Sequence, residues 1–233
     1  QPSDANKTLD IASSTIENKL RLDINKSRNG WKWAWGASLQ AIDFNNNTFT
    51  LVQKQIIDDK GQLIQPRIDF DFVSPLPIVW KYGGFVQVGK RIFNEKLGLS
   101  AGMRTDMNSF TITGSNPLKT MSPRLSASFA LSDKWNINAS IGQYFKLAPY
   151  TILGYADNQN KLVNNNVDYL KSNHLVGGIE YIPSEDIRFT LEAFNKSYHH
   201  VPVSLRNGIA LSNLGADFNI VGNEAVISNG KGR

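Results

Sequence analysis

The sequence predicts an all-β fold: an antiparallel up-and-down meander that forms part of the wall of a transmembrane β-barrel. Three observations carry this expectation. Apolar and polar residues alternate with period two along much of the chain, turn pairs such as Asn-Gly separate the alternating runs, and the connections are alternately short and long. Period two is the side-chain repeat on one face of a strand. Composition agrees: of 233 residues, 41% are hydrophobic and only 19% are charged. Gly, Asn and Ser are plentiful, which suits strands and polar turns better than helices.

The first alternating segment places Ile16, Leu20, Leu22 and Ile24 on one face, with Glu17, Lys19, Arg21 and Asp23 on the other. After Arg28-Asn29-Gly30, Trp31, Trp33, Trp35, Ala37, Leu39 and Ala41 line one face, opposed by Lys32, Ala34, Gly36, Ser38 and Gln40. Asn-Gly between two alternating runs is a strong hairpin signal. Trp80, Tyr82, Val86 and Val88 form the next apolar row, and a turn near Asn94-Glu95 leads to Leu97, Leu99, Ala101 and Met103. Leu125, Ala127, Phe129 and Leu131 then oppose Arg124, Ser126 and Ser128. Ser132-Asp133-Lys134 turns into Trp135, Ile137, Ala139 and Ile141, opposed by Asn136, Asn138, Ser140 and Gly142. A further hairpin joins Leu175–Tyr181 to Ile187–Lys196 through Pro183-Ser184-Glu185-Asp186. This makes about eight strands, each near the ~10 residues that a tilted membrane strand needs.

Turns near 28–30, 90–95, 132–134 and 183–186 are short, whereas the links at 44–76, 106–121, 146–173 and 198–230 are long and polar. Outer-membrane barrels are built this way, with tight turns at one end and long loops at the other. Alternation alone does not say which face is wet. A soluble β-sandwich or small barrel, serving as a glycan-binding module, has the same pattern with its apolar face inside. The aromatic residues favour the membrane reading, because Trp31, Trp80, Trp135 and Tyr181 are expected near the short-turn ends as an interfacial girdle.

Composition also restricts function. Cysteine is absent, which removes disulfides, Cys-ligated zinc and thiol catalysis. The formal charge of +5 comes from scattered Lys and Arg without a basic run, so no nucleic-acid partner is expected. No apolar stretch approaches the ~20 residues of a membrane helix, a test to which barrel strands are blind.

Few residues suggest chemistry. His174, His199 and His200 are the histidines, and the last two face opposite ways if they lie in a strand. Asp69 and Asp71 share a face of a possible strand, with no nucleophile or base beside them. Asp157-Asn158-Gln159-Asn160 resembles the start of a calcium loop but lacks its glycine and terminal Glu. The chain has no GxSxG, P-loop or HExxH sequence. The expectation is therefore no enzyme, no metal site and no cofactor. The Trp31, Trp33, Trp35 row reads as a lipid-facing row more readily than as a sugar platform. Ligand contact is expected from the long loops, because binding usually resides on loops held by a rigid scaffold. Tyr150, Tyr155, Asn158, Asn160, Asn165 and Tyr169 are the candidate ligand-binding residues.

The second half carries a family resemblance. Ser122-Pro123-Arg124-Leu125-Ser126 is followed by Asn138–Tyr144 running into Ala148–Gly154, then by Gly178-Ile179-Glu180-Tyr181 and Arg188–Phe194. Asn213–Phe218, Gly222-Asn223-Glu224 and Gly230–Arg233 close the series. In order and spacing these segments resemble the mid-barrel region of TonB-dependent receptors of the Bacteroidetes type. The resemblance covers about residues 80–233, with the first 79 matching by strand pattern only. It implies a parent barrel of about 22 strands with a plug and a TonB-contacting segment. At ~10 residues per strand, residues 1–233 would be a partial barrel domain, without the plug and the remaining strands. The chain also lacks the aromatic final residue of an outer-membrane barrel, which adds to the expectation of a fragment. The implied function is nutrient uptake across the outer membrane, the implied partners being outer-membrane lipid, the TonB system through the plug, and a nutrient of unspecified class.

Overall fold

The computed structural model describes residues 6–157, 159–206, 208–211 and 225–232. It contains strands β1 (Leu9–Arg28), β2 (Trp31–Gln53), β3 (Ile56–Ile57), β4 (Leu63–Gln65), β5 (Ile68–Val73) and β6 (Val79–Ile92). These are followed by β7 (Leu97–Asn108), β8 (Ser122–Ala130), β9 (Trp135–Lys146), β10 (Leu170–Ser184), β11 (Ile187–Ser204) and β12 (Val226–Gly232). Helical turns among the described residues include a 3-10 turn at Pro117–Thr120 and the single turn α1 (Tyr150–Leu153). Among the described residues, ten strands form one sheet in the order β1-β2-β6-β7-β8-β9-β10-β11-β12, with β5 also pairing β2. Every pairing is antiparallel, and β3 and β4 form a separate small hairpin. The up-and-down meander is as expected.

The turns explain the register. Asn29 and Gly30 both have positive φ, 51° and 75°, the conformation of a two-residue primed turn. That turn sets Arg28 opposite Trp31 and holds an unbroken ladder out to Leu9 and Thr50. Here the structure departs from the expected loop at 44–76, because β2 continues to Gln53 and the remainder of the link holds β3, β4 and β5. Asn45-Asn46-Asn47 reads as turn chemistry in isolation. Paired strands on both sides supply partners for its backbone, and ladder hydrogen bonding outweighs local preference. Pro183 and Ser184 likewise belong to β10, leaving Glu185-Asp186 as the turn.

Register assigns the faces. Directly paired residues share a face, so Leu22, Ala37 and Gly84 lie together, as do Leu99, Ala127, Ala139 and Gly177. This face is apolar and uncovered: Leu20 is 73% exposed and Leu191 75%. The other face carries Ser100, Ser126, Ser128, Asn138 and Ser140 and is concave, enclosing cavities of 1140 and 400 Å³. A water-soluble sandwich would bury the apolar face, whereas here it is uncovered. No helix is long and apolar enough to cross a membrane, which bears on helical spans only.

The girdle needs one correction. Trp31 and Trp135 lie at short-turn ends, and Trp135 stacks on Tyr181 at 4.4 Å between ring centroids. Trp80 begins β6 directly after the long 54–78 link, so it lies at the long-loop end. Its reading as a short-turn residue assumed a connection that the fold does not make. Trp31 pairs with Lys90, ten residues along β6 from Trp80. Ten residues span about 34 Å, or about 24–28 Å of height at a barrel tilt, matching the ~25 Å apolar band. The tryptophans therefore mark both rims of the band.

Candidate functional site: a loop canopy over a polar concave wall

The buried hydrophobic core lies at the long-loop ends of the strands, where Phe44 of β2, Val79 of β6 and Val226 of β12 meet the links, rather than between sheets. Phe44, Leu76, Val79, Leu147, Ala148, Ile152, Leu153, Val167, Tyr169, Leu211 and Val226 pack together there. Three links supply residues to this cluster and Phe110 of a fourth packs against it, so the loops form a packed canopy. Apolar residues within otherwise polar links, such as Leu147-Ala148 and Ile152-Leu153, exclude water only by meeting one another.

Side-chain hydrogen bonds fasten the links. Asn164, 1% exposed, donates from Nδ2 to the Ile152 carbonyl at 2.7 Å and accepts from the Val226 N–H at 3.0 Å. Asn108, fully buried at the end of β7, accepts from the N–H groups of Phe110 and Thr111 at 2.9 and 2.8 Å. Its Nδ2 donates to Thr111 Oγ1 at 2.9 Å and to the Tyr169 hydroxyl at 3.0 Å. Ser74 donates to the Gly154 carbonyl at 3.0 Å, and Thr113 to Asp168 at 2.8 Å. Buried amides with every group satisfied give a canopy one geometry. Sequence reasoning missed Asn108, Asn164 and Ser74, because nothing local distinguishes a structural Asn in a loop from a solvated one.

The expected ligand-binding residues fall into different surroundings. Tyr150 starts α1, half-buried, with its ring 5.7 Å from Phe44. Burial, with a smaller push from Glu17, raises its phenol above the ordinary value. Tyr155 is half-buried against Phe72, ring to ring at 5.8 Å. Asn160 is exposed with φ +60°, at the tip of a turn whose Asp157 accepts from the N–H groups of Gln159 and Lys161 at 3.0 Å. That carboxylate thereby organises the turn. Asn165 is half-buried and its carbonyl accepts from the Ile112 N–H at 3.0 Å. Tyr169 is 4% exposed within the core, and burial pushes its phenol up to about 12 against the opposing Asn108 hydrogen bond. Asn158 lies outside the described residues.

Below the canopy, the concave wall carries charge and aromatic rings in register. On β1 Arg21 donates to Asp23 at 2.9 Å, and on β7 Arg104 grips Asp106 through Nε and Nη2, both at 2.6 Å. On β8 Arg124 lies over the Tyr144 ring at 4.4 Å, and Tyr144 packs on His174 at 4.5 Å. Toward the short turns, buried Glu180 accepts from Asn136 at 3.2 Å and pairs with Arg188. The wider cavity beside it is lined by Gly89, Gly98, Ser100, Ser128 and Gly178. His199 and His200 straddle a bulge in β11, where His200 has φ +57°. Asp69 pairs with Arg67 at 2.9 Å. Among the described residues, no group of three His, Cys, Asp or Glu converges as a metal site.

An antiparallel meander, open at β1 and β12, with one lipid-compatible face, one polar concave face, tryptophans at both rims and loops packed over one end is a segment of the wall of a transmembrane β-barrel of the receptor class. The family model for TonB-dependent receptor-like β-barrels matches residues 3–231, and the chain belongs to that family. No curated protein sequence matches the chain. Among solved structures, a chain of the FpvAI–pyocin S2 complex aligns with TM-score 0.57 at 16% identity, covering 97% of this chain and 31% of that one. The copper transporter OprC aligns with TM-score 0.56 at 14% identity over 82% and 31%. The siderophore receptor PirA from Acinetobacter baumannii aligns with TM-score 0.52 at 14% identity over 83% and 28%. These likenesses concern the fold, and this chain spans under a third of the length of each. Family and neighbours are receptors or transporters.

Proposed function

We propose that residues 1–233 form a partial barrel domain of an energised importer, which takes a scarce nutrient across the outer membrane. The observation that carries this reading is the division of the sheet into an apolar convex face and a polar concave face beneath a packed canopy. The convex face contacts outer-membrane lipid, the canopy receives the nutrient, and the concave wall surrounds its path. Coupling to TonB runs through a plug elsewhere in the parent protein. The Bacteroidetes type of receptor is supported by the order and spacing of the segments between Ser122 and Arg233. No catalysis is ascribed to the wall, in keeping with its membership of a receptor-like barrel family.

Within the canopy, Tyr150, Tyr155, Asn160 and Asn165 are proposed to contact the nutrient, together with Asn158 of the same link. Tyr150, Tyr155, Asn160 and Asn165 supply rings and amides to the canopy, while Tyr169 holds it through Asn108. Sedimentation of the purified chain with and without detergent tests the membrane reading. Uncovered Leu and Ile faces and open sheet edges predict self-association in plain buffer and dispersal in detergent. A compact monomer in both conditions, with a cooperative melt, would overturn it.

A further inference from the structure

We infer that the concave wall just below the canopy holds a site for a carboxylate or phosphate group of an anionic cargo, centred on Arg124. The inference deepens the transporter reading and rests on it. Three guanidinium groups border the 400 Å³ cavity, those of Arg21, Arg104 and Arg124. Arg21 and Arg104 are balanced by Asp23 and Asp106 at 2.9 and 2.6 Å. Arg124 differs: among the described residues, no carboxylate lies within ion-pair distance of it. The cluster therefore keeps one uncompensated positive charge, and that charge faces the cavity.

Arg124 is also held in place. Its guanidinium lies over Tyr144 at 4.4 Å, and Tyr144 is backed by His174, whose Nε2 is 2.7 Å from Ser172 Oγ. Glycines stand directly opposite Arg124 on both neighbouring strands, Gly102 on β7 and Gly142 on β9. No side chain therefore flanks it at its own level. A Cβ on Gly142 would lie 3.1 Å from the Tyr144 ring and 3.3 Å from Arg124 Cγ, so this glycine makes room for the stack. The arrangement orients the cation on its stem while Arg124 remains exposed. A planar fork positioned beforehand binds a bidentate oxyanion with little loss of side-chain freedom.

The position suits a solute in transit. Asp106, Asn108 and Tyr169 connect the cluster to the canopy, since Asn108 lies two residues above Asp106 on the same face of β7 and bonds Tyr169 at 3.0 Å. An anion leaving the canopy meets this charge next. The apolar wall behind it limits screening by water and strengthens the attraction.

The test uses the complete transporter purified in detergent and the arginine reagent phenylglyoxal, with modification of each arginine read by peptide mass spectrometry. Arg124 should react freely in the unliganded protein. Millimolar succinate or inorganic phosphate should slow it several-fold, while neutral succinamide should not, and Arg28 at the short-turn rim should be unaffected by any of them. In Tyr144→Ala the protection should weaken several-fold. Equal reaction rates with and without anions would overturn the site. So would an Arg124 that is unreactive in the unliganded transporter, because a protein carboxylate would then occupy it. Membrane insertion, scored separately by heat-modifiable migration, distinguishes the two readings: an inserted barrel with an unprotected Arg124 refutes this site alone, and a protein that never inserts refutes the transporter.

Discussion

Replacing Ala127 by Arg examines the assignment of faces most directly. Ala127 lies on β8 opposite Leu99 and Ala139, on the face that carries Leu125 and Phe129, 57% and 39% exposed. Its partner Ala139 stands four residues above Trp135, which marks the short-turn rim. Four residues rise about 10 Å at a barrel tilt, against about 12 Å to the middle of a ~25 Å band. Ala127 is thus within a few ångströms of the bilayer midplane, where an outward Arg costs about 2–4 kcal/mol. Ser128, the next residue, pairs with Gly98 and Asn138 on the concave face and has a cavity before it. Ser128→Arg should therefore cost under about 1 kcal/mol, because its charge stays hydrated. The assay is equilibrium unfolding of the complete protein in lipid vesicles, comparing wild type, A127R and S128R. Equal costs, or a greater cost for S128R, would show that the apolar face does not meet lipid.

Other expectations concern the canopy. Asn108→Ala removes acceptors for two N–H groups and the donor to Tyr169, and should destabilise the canopy by about 1–3 kcal/mol, seen as faster hydrogen exchange at Phe110 and Thr111. Tyr169→Phe leaves Asn108 bonded to Thr111 and should cost only about 0.5–1.5 kcal/mol. Gly154→Ala would set a Cβ 2.1 Å from Ser74 Oγ and 3.0 Å from the Tyr150 carbonyl, so thermal unfolding should come earlier; S74A in the same chain should recover part of the loss and no more. The Tyr169 phenol is raised to about 12 in the folded protein, so its contribution to stability is whole below pH 10 and is lost as pH rises from 10 to 12. Absorbance titration of phenolate should show a component ionising near 12 that is lost in Tyr169→Phe; an unchanged curve would contradict its burial.

Local pattern in the sequence determined the strands, their tight turns and the division into two faces. Each of these depends on neighbours a few residues apart. Leu97, Leu99 and Ala101 share a side because a strand repeats every two residues, and Asn29-Gly30 turns because those residues tolerate positive φ. Tertiary structure decided what pattern could not. The continuation of β2 through Asn45-Asn46-Asn47 needed β1 and β5 beside it, and the place of Trp80 depended on which link precedes β6. The division of roles among Tyr150, Tyr155, Asn160, Asn165 and Tyr169 followed from how four links pack against one another. The Arg124–Tyr144–His174 stack joins residues of three strands whose diagonal contacts exist only once register is set. A polar residue in a loop carries no local mark of burial, because burial is a property of the elements that converge on it.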